Sequence, residues 1–165
     1  LTVDAAGWSI GAMASIDYQR WTGAIADAAD PLLALCDTVF GEFDSAYLRG
    51  RLAHIADPEL WLAVADGDWV GFKLGYRRGG ALFYSWLGGV HPQLRGQGVA
   101  SELMRRQHDH AAAAGYRFVE TRTRAANNPM ILLNLRHGFH IAGFEIDGHG
   151  VAVVTQRKAL TPDRG

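Results

Sequence analysis

Val90-His91-Pro92-Gln93-Leu94-Arg95-Gly96-Gln97-Gly98-Val99-Ala100-Ser101 is the stretch on which the reading of this chain turns. A strand runs out, the chain turns through Gly-x-Gly, and a helix predicted over residues 98–114 begins at once. Glycines let successive backbone N–H groups converge with no Cβ in the way. They meet the free donors and the positive dipole end of the new helix. Such a turn is an anion site shaped for a phosphate or a pyrophosphate. The same letters also suit a plain strand-to-helix turn, so the surroundings have to decide.

Upstream, residues 60–65, 69–76 and 81–87 read as three strands joined by Asp66-Gly67-Asp68 and by Arg77-Arg78-Gly79-Gly80. They make an antiparallel meander ending in Gly88-Gly89-Val90, and paired glycines at a strand end mark a bulge or a close approach. Before the meander, Asp30-Pro31 suggests a helix start with Asp30 as N-cap; Leu32, Leu33, Leu35, Cys36 and Phe40 form its stripe and Gly41 its stop. A second helix from Asp44 or Ser45 carries Leu48, Leu52 and Ile55 and is stopped by Pro58. Residues 8–10 and 16–21 alternate loosely as strands. Downstream, residues 116–123 form a strand, and Asn128 caps a helix with Pro129 first and Gly138 last. A hairpin over 139–146 and 151–157 turns at Asp147-Gly148. The strand–helix–strand segment requires one parallel crossover. The expected fold is α/β (α+β): a mixed, mostly antiparallel sheet of six or seven strands with helices on both faces, in one domain over 1–165.

Composition narrows the function. Sixteen Lys and Arg against seventeen Asp and Glu leave a net charge of −1, which argues against a general grip on nucleic acid or an anionic membrane. Cys36 is the single cysteine, so no disulfide framework or Cys-rich zinc site is available. His108 and His110 stand two apart on a helix and point to different faces, and no H-E-x-x-H occurs, so no metal is expected. No apolar run reaches the ~18 residues of a membrane span, and no signal peptide opens the chain; a cytoplasmic protein is expected. The sequence opens on Leu1, so residues are expected to precede it. No G-K-[ST] is present for a Walker loop, and Gly96-Gln97-Gly98-Val99-Ala100-Ser101 has Ser where a dinucleotide fingerprint has its third glycine.

With its surroundings, the stretch resembles the GNAT superfamily of acyl-CoA-dependent N-acyltransferases. That family's R/Q-x-x-G-x-G/A pyrophosphate motif is met by Arg95-Gly96-Gln97-Gly98-Val99-Ala100, preceded by Val90-His91-Pro92. Further on, Asn127, Asn134 and Gly138-Phe139 fall at the family's spacing. The resemblance covers about residues 40–158 and implies a GNAT-like fold with acetyl-CoA as co-substrate. It implies that the N–H groups of Gly96, Gln97, Gly98, Val99, Ala100 and Ser101 hold the pyrophosphate. The pantetheine arm would lie along Gly88, Gly89 and Val90, with the Val90 N–H polarising the thioester carbonyl. Asn127 and Asn134 would contact cofactor. The acceptor implied is a small-molecule amine or a peptide amine, and the terminal hairpin leaves room for a homodimer.

The departures from the family are as informative. Many members carry Tyr as the acid where this chain has Asn134, and an amide cannot ionise. Some carry a Glu base where this chain has Arg122. His91, Glu120 and Glu42 stand as outlying candidates for proton handling, each with a plain reading: a loop histidine, a strand charge and a solvated carboxylate. Trp61, Trp69, Tyr76, Tyr84 and Trp86 crowd the meander and suggest an aromatic acceptor wall. Acetyl transfer to a primary amine is the leading reading. A non-catalytic acyl-CoA sensor is the alternative, and a dinucleotide-binding domain a third.

Overall fold

A computed structural model describes residues 15–160. The strand expected over residues 8–10 lies outside the described residues. Seven strands are described: β1 (Ile16–Arg20), β2 (Ala56–Ala65), β3 (Asp68–Gly79), β4 (Leu82–Val90), β5 (Phe118–Arg124), β6 (His140–Ile146) and β7 (Ala152–Ala159). Four helices accompany them: α1 (Ala29–Phe40), α2 (Ser45–Leu52), α3 (Val99–Ala113) and α4 (Asn128–Arg136). The strands form one mixed sheet in the order β1-β2-β3-β4-β5-β7-β6. Only β4 and β5 are parallel, and α3 is their crossover. The expected fold class is therefore the observed one.

The two faces of the sheet are covered by different helices. On one, Leu32, Leu35 and Cys36 of α1 and Leu48 of α2 pack against Leu60, Leu62, Phe72 and Leu74. On the other, Val99 and Leu103 of α3 meet Ala63, Ala65 and Val70, while Met104 and Ala111 meet Phe83 and Val119. Burial of these side chains drives the layering. Cys36 is core filler, and burial pushes its thiol up to about 12.

Three local expectations are corrected. Asp30 is not a cap: a 3₁₀ turn (Ile25–Ala28) leads straight into α1, and Asp30 instead pairs with Arg49 of α2. Pro58 does not stop α2, which has already ended at Leu52. Pro58 lies inside β2 beside an irregularity between Ala56 and Glu59, where a missing N–H does little harm. The cap of α4 is Asn127, whose side chain accepts from the Met130 N–H at 3.3 Å, so Asn128 and Pro129 are the first two helical residues.

The feature that positions the site is a fork. Strands β4 and β5 pair only over Leu82–Tyr84 and Phe118–Glu120. Beyond Tyr84 they separate, held once more where the Thr121 hydroxyl donates to the Ser85 carbonyl at 2.9 Å.

Candidate active site

The open side of the fork and the start of α3 enclose a cavity of about 670 Å³. One wall is the end of β4, Gly88, Gly89 and Val90; the other is the turn into α3, with Arg95, Gly96, Gly98, Val99, Ala100 and Ser101. Gly96 and Gly98 hold φ of +75° and +82°, and Gly98 is the N-cap of α3 in the left-handed region. A side chain is strained there. A Cβ at either position would meet nothing within 4 Å. Their space faces out of the protein, toward whatever the helix N-terminus receives.

Arg95 fastens this turn. Its Nε donates to the Val90 carbonyl at 3.3 Å and its guanidinium to the Val39 carbonyl, at the end of α1, at 3.1 Å. The Gln97 amide donates to the Gln93 carbonyl at 3.3 Å, away from the cavity wall. Ser101 Oγ lies 3.0 Å from His137 Nε2, which ties α3 to the end of α4. The His91 N–H donates to the Val70 carbonyl at 2.8 Å. Antiparallel residues bond alternately to one side and the other, so the neighbouring Val90 N–H points off β3 and toward the open fork, as does that of Gly88.

The paired glycines of β4 have an internal explanation. A Cβ at Gly89 would come within 2.5 Å of Val39, and one at Gly88 within 2.9 Å of the Lys73 stem on β3. The close approach expected from the sequence is made by these two residues. Lys73 was not read as a site residue, although a lysine amid the apolar run of β3 was the signal. It lines the cavity, and burial of its ammonium pulls its pKa down to about 8. It has no hydrogen bond or ion pair among the described residues. With Arg95 and Arg136 it gives the cavity three cations, and among the described residues no carboxylate lines it. That balance suits an anionic ligand.

Other expected residues are placed elsewhere. Asn127 reaches the cavity, with its carbonyl occupied in capping. Asn134 is buried off the cavity wall, its amide donating to Gln156 of β7 at 2.8 Å. His91 sits outside the lining, where its Nδ1 accepts from the Gln93 N–H and starts a 3₁₀ turn (Pro92–Leu94). Glu120 is bound by Arg157 at 2.7 Å and Arg78 at 3.6 Å, and Arg122 is paired with Glu145. Asp44 caps α2 through the Tyr47 N–H. The five aromatics do not make one wall: Trp69 packs on Trp21 and Trp61 on His110, while Tyr76, Tyr84 and Trp86 join Tyr47 around Arg51.

The model of the acetyltransferase (GNAT) family matches residues 27–139, more than half of the chain. The chain belongs to the GNAT acetyltransferase family. Members are acyl-CoA-dependent transferases, so it is an enzyme of that class and not a dinucleotide-binding domain. Solved GNAT structures share its fold. It covers 89% of itself and 95% of the ribosomal-protein-S18-alanine N-acetyltransferase of Escherichia coli at 12% identity and a TM-score of 0.76. A GNAT acetyltransferase of Elizabethkingia anophelis with acetyl-CoA bound matches over 88% of this chain and 98% of its own, at 14% identity and a TM-score of 0.73. Nourseothricin acetyltransferase matches over 64% of this chain and 66% of its own, at 25% identity and a TM-score of 0.59. No curated protein sequence matches the chain. Among the described residues, no helix is long and apolar enough to cross a membrane.

Proposed function

We propose that this GNAT enzyme moves an acetyl group from acetyl-CoA to a primary amine by direct attack. The observation that carries the reading is the cavity itself. A left-handed glycine turn, the free N–H groups of a helix start and the outward N–H of Val90 open on one space lined, among the described residues, by cations and no carboxylate. The residues present fit the co-substrate: at Gly96 and Gly98 a side chain would fill a cradle that the protein leaves clear. When bound, acetyl-CoA supplies an acyl thioester already activated toward amines.

The chain's own contribution is placement and charge. The N–H groups from Gly96 to Ser101 hold the pyrophosphate at the positive end of α3. Arg95, by gripping Val90 and Val39, keeps that turn in register with β4. The open edge of β4 receives the pantetheine arm by main-chain pairing, as an added strand. The Val90 N–H then meets the acyl oxygen, and a fixed donor stabilises the charge that grows there without reorganising. Holding amine and thioester side by side lowers the barrier further. The amine has to arrive neutral, because no base is offered to it: Glu120 is held by two arginines and Arg122, a guanidinium, accepts no proton. The GNAT structures named above include acetyltransferases for ribosomal protein S18 and for nourseothricin, so the acceptor panel spans peptides and antibiotics.

The test is calorimetric titration with acetyl-CoA, followed by an amine panel with detection of freed thiol. Saturable binding and amine-dependent thiol release are expected. Absence of binding at millimolar acetyl-CoA removes the reading.

A further inference from the structure

Three features near the cavity lack a role in the account above: the aromatic cluster around Arg51, the exposed apolar side chains of α4 and β6, and Lys73. The first two face away from the fork or present no indication of an occupant. Lys73 is in the cavity.

Lys73 is half-buried on the cavity wall. Its stem lies across Gly88, so closely that a Cβ on Gly88 would stand 2.9 Å from its Cδ and 3.6 Å from its Nζ. The ammonium therefore sits beside the stretch of β4 whose N–H groups face the open fork. Met104 of α3 and Leu133 of α4 line the same space. The titratable groups around it are His108 on α3 and His137 after α4, with Lys158 of β7 beside His108 at 3.3 Å. Burial, with the nearby lysines, holds both histidines below their ordinary range, so neither competes for a proton at neutral pH. No acid answers the Lys73 charge among the described residues. A half-buried cation with no counter-charge among the described residues weakens a fold, which makes its presence at the cavity a matter of chemistry.

Resting on the acetyl-transfer reading, we propose that Lys73 is the group that receives the departing thiolate and gives it its proton. Asn134, which stands at the position from which an acid would be expected, cannot do so: its amide is spent on Gln156 and has no ionisable proton. As the tetrahedral intermediate collapses, the carbon–sulfur electron pair leaves on sulfur and the Lys73 ammonium transfers a proton to it. The acylated nitrogen, still carrying the extra proton it brought to the attack, returns one to Lys73 through water. Atoms and charge balance, and the lysine ends as it began. The proton moves between groups of similar strength, because Lys73 lies at about 8 and an ordinary thiol near about 8.5. That match favours an efficient acid.

The experiment uses coenzyme A itself, with its desulfo analogue as blank, and follows the ultraviolet absorbance of the bound thiolate against pH. In the wild-type protein the bound thiol should ionise about one pH unit or more below free coenzyme A. Lys73→Met should abolish that depression while still binding coenzyme A. Lys73→Arg should keep it, but lose about a hundredfold in turnover, since a guanidinium holds its proton. A wild-type thiol that titrates as in free coenzyme A overturns the proposal whatever the variants do, and so does an equal depression in wild type and Lys73→Met. Failure of wild type to bind coenzyme A at all is a different result: it removes the cofactor reading and this proposal with it.

Discussion

The two ends of the fork treat unusual residues in opposite ways. At the paired end, Gly75 is explained by its neighbours: a Cβ there would come within 2.4 Å of the Phe83 ring and 2.8 Å of the Tyr84 carbonyl. Glu59, opposite Gly75 in the β2–β3 ladder, is buried, accepts from the Trp61 indole at 2.6 Å and lies 3.5 Å from His110. At the open end, Gly96, Gly98 and Lys73 find no such account inside the chain. Among the described residues nothing approaches these glycines and nothing pairs the lysine. Where a fold explains its odd residues, they serve packing; where it does not, a ligand is the missing neighbour.

The strongest way to break this contrast is Gly98→Glu. The side chain would enter the open cradle and place like charge against a pyrophosphate. Affinity for acetyl-CoA should fall at least about a hundredfold, roughly 3 kcal/mol, by calorimetry. Gly98→Ala separates the causes: it meets only the backbone strain of about 1–2 kcal/mol and should cost less than about tenfold in affinity. Equal affinities for wild type and Gly98→Glu would show that the turn is only a turn.

At the paired end the effects should appear in stability and leave binding alone. Burial pushes the Glu59 carboxyl up to about 7, against the opposing pull of the Trp61 hydrogen bond and Arg20. Folded, it keeps its proton to about pH 7; unfolded, it loses it near the ordinary value of 4.5. Between these values the native state binds more protons, so its contribution is full below the unfolded pKa and is lost as pH rises through the folded one. Across that window wild type should lose about 3 kcal/mol relative to Glu59→Gln, as measured by urea midpoints. A difference between the two proteins that stays constant with pH would mean that the carboxyl is solvated. Gly75→Ala should cost up to about 3 kcal/mol through overpacking, with acetyl-CoA affinity unchanged.

What was legible in the letters follows the same division. The turn into α3 could be read because backbone conformation carries it, and glycines announce left-handed φ directly. The strand order around it could be read because alternation and turn residues are local signals. The side-chain half of the site was harder. Lys73 and Gly88 are cross-strand partners fifteen residues apart, and only the β3–β4 register brings them together. The aromatics of the meander alternate between faces, and which partner each meets depends on α2, on α3 and on Trp21 after β1, which their own strands do not specify. Glu120 looked like an open candidate until Arg157, thirty-seven residues on, arrived on the neighbouring β7.

Asn134 is the residue on which sequence and structure disagree most usefully, and it sharpens the comparison with the smallest expected effect. Its position after Asn127 suggests cofactor contact, and loss of such contact would raise the KM for acetyl-CoA more than it lowers kcat. The structure instead places it with the paired end in kind. It is 1% exposed, it donates to Gln156 Oε1 at 2.8 Å, and Gln156 Nε2 donates in turn to the Ile131 carbonyl at 3.2 Å. This closed chain of amides staples α4 to β7. Asn134→Ala strands the buried Gln156 oxygen, which should cost about 1–2 kcal/mol in a urea midpoint, with KM for acetyl-CoA within about threefold of wild type. Asn127→Ala loses a helix cap worth about 1 kcal/mol and, as a residue that does line the cavity, should move KM more than Asn134→Ala does. If Asn134→Ala left stability intact and raised KM tenfold, its amide would have to leave Gln156 for the cofactor, and the open end would then be built from one more residue than the folded chain brings to it.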